Sequence, residues 1–200
     1  MAKIGLRYPI FAQVEDDNNG GVPIYKEGKV IGRAMSADVA WSRSNNKLYA
    51  DDGVAESDNS ITGGTVTIGV DDLKDEVMAY LLGGRIVTED GHTEYIDNGD
   101  GGPVGGLGYI RVRKLRGKVE YIAYWIYRVS FALGDESAST KGENIEWQTA
   151  TIQGDMEGIQ GESAMPEYRV HATFATAEAA KAWLKAKAGI TDPNALEDKT

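Results

Sequence analysis

Apolar positions recur every second residue over most of this chain and every three to four residues in two places, which predicts a mainly β protein with one or two flanking helices. Ile4 to Val14 reads as a short mixed strand that Pro9 confines to an extended or edge role. Val22 to Ser36 alternates weakly and is interrupted by Gly28 and Gly32, as one or two strands with a bulge would be. Thr65 to Val70 is β-branched at every position but Gly69 and is a clear strand. A helix follows, capped by Asp71 or Asp72, with Leu73, Val77, Tyr80 and Leu81 in one stripe and Gly83-Gly84 as the stop.

Tyr109–Leu115 and Val119–Phe131 read as two long strands joined by a tight turn at Arg116-Gly117-Lys118. Strict alternation places Tyr121, Ala123, Trp125, Tyr127, Val129 and Phe131 on one face and Ile122, Tyr124 and Ile126 on the other. A strand apolar on both faces must be covered twice, by its own chain or by a neighbouring subunit. Glu143–Gln153 and Tyr168–Phe174 add strands, the latter with Tyr168, Val170, Ala172 and Phe174 inward. Thr176 then caps a second helix with the stripe Ala180, Trp183, Leu184 and Ala188, stopped by Gly189. Lys185 and Lys187 suit its negative end, and Lys181 lies one turn earlier.

Two stretches lack this periodicity. Ser42 to Gly64 is polar and interrupted mainly by Leu48-Tyr49-Ala50, with Val54 and Ile61 isolated, so it reads as a long loop ordered by a partner. Asp97 to Gly108 holds six glycines and Pro103 and also reads as a loop. No repeat or linker divides the chain, so residues 1–200 read as one domain, with loop 42–64 and the C-terminal tail 190–200 as arms.

Composition narrows the chemistry. Twenty-one basic and 31 acidic residues leave a formal charge of −10, which argues against stable binding of nucleic acid. Cysteine is absent, which removes disulfides, thiolate metal ligation and a cysteine nucleophile. No 18-residue apolar run could cross a membrane, and the first residues hold no apolar core of signal length. Glu15, Asp17, Asn19 and Gly20 imitate the start of a calcium loop, but Lys26 stands where its closing Glu belongs. Asp97-Asn98-Gly99-Asp100 is no better supported as a cation site. The glycines after Asp97 never form G-x-G-x-x-G ahead of a helix. His92 falls in a polar turn and His171 out of phase on its strand, so both read as surface residues rather than catalysts. No catalytic residue, metal site or cofactor is expected.

The densest cationic run outside the second helix is Arg111, Arg113, Lys114, Arg116 and Lys118. It reads either as a partner for an acidic surface on a neighbouring copy or as a solvated hairpin charged against edge pairing.

An ordered set of segments resembles the major tail protein, or tail tube protein, of long-tailed non-contractile bacteriophages. These segments are Lys3-Ile4-Gly5-Leu6, Gly28-Lys29-Val30-Ile31-Gly32, Leu48-Tyr49-Ala50-Asp51-Asp52 and Ala55-Glu56-Ser57-Asp58. Gly63-Gly64-Thr65-Val66-Thr67 running into Val70-Asp71-Asp72-Leu73 follows, then Gly108-Tyr109-Ile110-Arg111, Ala123-Tyr124-Trp125-Ile126-Tyr127 and Thr140-Lys141-Gly142-Glu143-Asn144-Ile145-Glu146. The likeness runs from Lys3 to about Gly189 and is weakest over Asp97–Gly108 and the last ten residues.

This resemblance implies an antiparallel β-sandwich or barrel with a flanking helix, assembled as hexameric rings that stack into a tube. Such a protein belongs to the virion tail, assembles in the host cytoplasm and catalyses nothing. Its partners would be itself, a tape-measure protein, tail terminator and baseplate or distal tail proteins, with DNA passing through unbound and no membrane involved. Six copies would carry a formal −60 (6 × −10), which would keep phosphates from sticking to the lumen. Leu48, Tyr49, Asp51 and Asp52 are the expected inter-ring contacts, and Arg111, Arg113, Tyr124 and Ile126 the expected inter-subunit contacts. The alternative is a carbohydrate-binding β-sandwich module of a baseplate or surface protein, which would need aromatic rings on an exposed face. A hydrolase built on acidic pairs is a third reading, and no spacing singles out a pair.

Overall fold

The computed structural model describes residues 2–50, 53–97, 99, 101–132, 150–161 and 165–190, without the side chains of 2–4, 48–50 and 53–56. Its first strand, β1 (Ala2–Asp16), is followed by a 3-10 turn at Asn18–Gly20 and then by β2 (Ile24–Val30), β3 (Ala34–Arg43), β4 (Asn46–Ala50), β5 (Gly53–Asp58) and β6 (Ile61–Val70). Helix α1 (Asp75–Leu82) leads to β7 (Arg85–Glu89), β8 (His92–Ile96), β9 (Val104–Leu115) and β10 (Lys118–Ala132). The chain continues through β11 (Ala150–Glu157), β12 (Ile159–Gln160), β13 (Pro166–Glu167), β14 (Arg169–Phe174) and α2 (Ala177–Lys187). The molecule is mainly antiparallel β with two flanking helices.

One eight-stranded sheet runs β2-β1-β9-β10-β11-β6-β3, and β14 also pairs with β10. β10 is long enough to divide one edge between two partners. Tyr121–Ile126 pair with β14, and Arg128–Ala132 pair with β11. The sheet curls, so that β3 at the end of the order comes back against β1.

Two apolar clusters sit on opposite faces. One joins Phe11, Val66, Ile68, Leu107, Tyr109, Ile126, Val129 and Phe131 to Tyr80, Leu81 and Leu82 of α1. The other joins Ile10, Ala12, Tyr25, Ile110, Ala123, Trp125 and Tyr127 to Ala180 and Leu184 of α2 and to Ala188 just beyond it. Both faces of β10 are thus covered within the chain, and no apolar face of this strand is left over for a neighbour.

Strict alternation fails on β10 for a specific reason. Ile126 faces Leu107 but Val129 faces Gly105, so β10 carries one extra residue in a β-bulge. The bulge shifts the phase, and Val129 and Phe131 join Ile126 on the α1 side instead of Trp125 on the α2 side. It lies where β14 gives way to β11, and the Tyr127 N–H there donates to the Tyr168 carbonyl at 3.1 Å.

Other boundaries also depart from the sequence expectation. β1 is internal rather than an edge, lying between β2 and β9. Pro9 is tolerated because its position falls in a register break between Arg7 and Ile10, next to Tyr8 at φ 56°. Asp71 does not cap α1. Its carboxylate accepts the Arg33 N–H at 3.0 Å, and the helix begins at Asp75, with Asp75 and Glu76 facing its positive end. Gly83 ends the helix at φ 76°, where a side chain would be strained. Thr176 does cap α2, accepting the Ala179 N–H at 3.3 Å.

Asp97–Gly108 is not all loop, because β9 begins at Val104. A Cβ on Gly106 would come within 2.7 Å of both Trp125 Cε2 and Tyr25 Cε1, and one on Gly108 within 2.8 Å of Leu184 Cδ2. These glycines let bulky side chains close over a central strand. Arg116 (φ 47°) and Gly117 (φ 83°) form the two-residue turn into β10. The described part of the Glu143–Gln153 strand starts at Ala150 and runs on to Glu157, while residues 143–149 and the tail 191–200 lie outside the described residues.

Candidate functional site

The described part of the 42–64 stretch is mostly strand rather than loop. β3 extends to Arg43, β6 starts at Ile61, and β4 and β5 pair with each other between them. The result is one long jointed hairpin. At the joint the Ser44 N–H donates to the Ser60 carbonyl at 2.8 Å, and the Asp58 carboxylate accepts the Ser60 N–H at 2.9 Å. That backbone bond, helped by the Ser60 and Ser44 hydroxyls, holds the fully exposed Asp58 carboxyl below its ordinary range.

Beyond the joint, β4 and β5 form a separate two-stranded sheet. Five residues of β4 span about 17 Å. Polarity hid these strands, since Asn46, Lys47, Ser57 and Asp58 give no apolar alternation to reveal them. Leu48 and Tyr49 lie on β4, opposite Glu56 and Val54. Asp51 and Asp52 fall outside the described residues.

A second arrangement lies where β9, β10 and β14 run side by side. Register sets Leu107 opposite Ile126, Tyr109 opposite Tyr124, Arg111 opposite Ile122 and Arg113 opposite Glu120. Alternate residues share a face, so this face grades from apolar core to charged rim. His171 of β14 faces Tyr124 from the other side, giving a row of three rings. Tyr109 and Tyr124 stack at 5.3 Å between centroids, and Tyr124 and His171 at 5.4 Å.

Two guanidiniums bracket this row. Arg111 Cζ lies 5.5 Å from the Tyr109 and Tyr124 centroids, and Arg169 Cζ lies 4.9 Å from Tyr124 and 5.2 Å from Trp41 of β3. Each such contact stabilises by about 0.5–2 kcal/mol, depending on desolvation. Arg111 Nη2 also donates to the Ala37 carbonyl of β3 at 2.7 Å. Tyr109 is fully buried, and burial raises its phenol pKa against the opposing pull of Arg111 and Arg169.

The four residues expected at subunit contacts therefore stand differently. Arg111 and Tyr124 are half-buried and touch each other. Arg113 Nε donates to Glu120 at 3.0 Å, across the ladder. Ile126 is fully enclosed in the α1-side core and presents no surface. Arg169, Trp41 and His171 belong with this group, although the sequence reading did not link them. Only the β10–β14 pairing and the curl of β3 bring them there. The available signal was Arg169, two positions before His171 on a strand whose apolar residues fall at the intervening places.

A third surface is the solvent face of β3, β6, β11 and the end of β10. One row reads Ala40, Thr65, Asp155, Ser130 and the next Asp38, Thr67, Gln153, Ala132. Apart from Gln153 these side chains are short or acidic, and neither row contains Lys or Arg. At the margin Arg128 pairs with Asp17 and, through Nε at 3.1 Å, with Glu157.

Among the described residues no group of three or more His, Asp or Glu is placed to hold a metal ion, and no helix is long and apolar enough to cross a membrane. His92 is exposed at the start of β8, 3.0 Å from Glu94. Comparison with protein-family models and with curated proteins finds no match for this chain.

Proposed function

We propose that this chain is a structural subunit that associates with its own copies into rings of six, which stack into a tail tube for the passage of phage DNA. The observation that carries this reading is the solvent face of β3, β6, β11 and β10. A conduit wall has to let a polyanion slide past without gripping it. Short Thr, Ser and Ala side chains and the uncharged Gln153 give a phosphate no cation to grip, and Asp38 and Asp155 repel it. A lysine or arginine in those rows would bind the passing backbone.

The jointed hairpin supports the same reading. Among the described residues its outer half is hydrogen-bonded to no strand of the large sheet, so its ladder edges are open to a neighbour. Through the resemblance the proposal extends to the other partners, a tape-measure protein inside the tube and terminator and baseplate or distal tail proteins at its ends, and to a place in the virion tail. Purified protein at high concentration, viewed by negative-stain electron microscopy, is expected to show hollow tubes of uniform diameter. Particles that remain single at every concentration and salt tested would overturn the proposal.

A further inference from the structure

We infer that Arg111 and Arg169, bracketing Tyr124, form a socket that receives the acidic β4–β5 hairpin of a second copy. This inference rests on the self-assembly reading above and names the surface that the hairpin meets.

The argument starts from how this chain treats its other half-buried arginines. Arg113 is neutralised by Glu120, and Arg128 by Asp17 and Glu157. Arg111 and Arg169 are also half-buried, but among the described residues neither has a carboxylate partner. Their Cζ atoms lie 5.5 and 4.9 Å from the Tyr124 centroid, and one donor of Arg111 is used by Ala37. A guanidinium carries five N–H donors in a planar fork that matches a carboxylate. Two such forks, held beside one ring, suit acidic groups in an extended segment.

Several acidic segments offer matching chemistry, among them residues 89–100, and the β4–β5 hairpin is the one that springs from the strand bearing Trp41. Between Leu48 and Asp58 stand Asp51, Asp52, Glu56 and Asp58, with no lysine or arginine among them. The socket lies at the root of this same hairpin, since Trp41, beneath Arg169, is only two residues before the end of β3. A hairpin seated on the root of the next copy leaves that copy's own hairpin free. Such a head-to-tail contact repeats without limit or closes into a ring. His171, stacked on Tyr124 and exposed, marks the accessible edge of the socket.

The chain has no native cysteine, which permits a direct test. Two single variants, Asp52→Cys and His171→Cys, are purified separately, mixed, and oxidised with diamide. Each thiol gives up a proton and an electron to the diamide as one S–S bond forms. A crosslinked pair containing one chain of each variant is expected, at several times the yield of either variant alone. In parallel, Arg169→Glu is expected to raise the concentration needed for assembly about tenfold or more. Asp51→Arg with Asp52→Arg should do the same, and combining the two sets should restore assembly. Circular dichroism confirms that each variant is folded.

Wild-type assembly with no preferential mixed crosslink, or with Arg169→Glu assembling as readily as wild type, would overturn the socket while leaving the tube proposal standing. A wild-type chain that never self-associates would overturn both.

Discussion

Arg111 Nη2 reaches from β9 to the Ala37 carbonyl of β3, 2.7 Å away, and ties the curled sheet across its gap. β3 ends the strand order, so among the described residues its outer edge has no ladder partner there. The same guanidinium lies over Tyr109 and Tyr124, so one side chain serves the closure of the fold and the surface of the socket.

Replacing Arg111 with Met keeps much of the packing but removes the donor. The expected loss is about 1.5–3 kcal/mol, the range for a hydrogen bond to a charged group. Urea denaturation measures it. A change within about 0.5 kcal/mol, the scatter of ordinary surface substitutions, would mean that the bond across the gap contributes nothing.

Gly106→Ala forces a methyl group between Trp125 and Tyr25, both buried. Overpacking of this kind costs about 1–3 kcal/mol. The control is Gly5→Ala in β1, whose nearest neighbour would be Val112 Cγ2 at 3.9 Å, an ordinary contact. Thermal unfolding should separate the two by several degrees. Equal melting temperatures would show that the glycines of β9 are not there to make room for the rings.

Leu184→Ala tests the attachment of α2. Leu184 is fully buried against the sheet, and such truncations cost about 2–5 kcal/mol. Thr176→Ala removes only the helix cap and should cost about 1 kcal/mol. If the cap variant proved the more damaging, the helix would depend on local capping rather than on docking.

The joint of the hairpin is expected to weaken in acid. The Asp58 carboxyl titrates below its ordinary 3.8 because the Ser60 N–H and nearby hydroxyls favour the charged form. A lowered folded-state pKa means that its contribution is fully present above the unfolded value and is lost as pH falls through the folded one. The Ser60 amide resonance should therefore shift with a midpoint below 3.8, and Asp58→Asn should abolish that transition. A midpoint at or above 3.8 would contradict the hydrogen-bonded joint.

Replacing residues 46–58 with a two-residue turn leaves β3 and β6 intact. The shortened chain is expected to stay folded and to form no tubes, because the strands it loses pair with each other and, among the described residues, with no strand of the large sheet. Tubes of normal appearance in electron microscopy would remove the hairpin from any role in stacking.

The amino-acid sequence by itself determined the β-rich class, the helix at Ala177–Lys187 with its Thr176 cap, the turn at Arg116-Gly117 and the two-sided burial of Ala123–Ile126. All of these depend on neighbours close along the chain or on a simple period, so local pattern suffices. Tertiary structure alone decided the phase of Val129 and Phe131, because a bulge is set by the strands on either side. It also turned a glycine-rich stretch into central strand, since the reason for those glycines lies in Trp125, Tyr25 and Leu184. The socket depends on three strands and the curl of a fourth bringing Arg111, Arg169, Tyr124 and Trp41 together across more than a hundred residues of chain. Spacing along one strand carries no record of which strand will lie beside it.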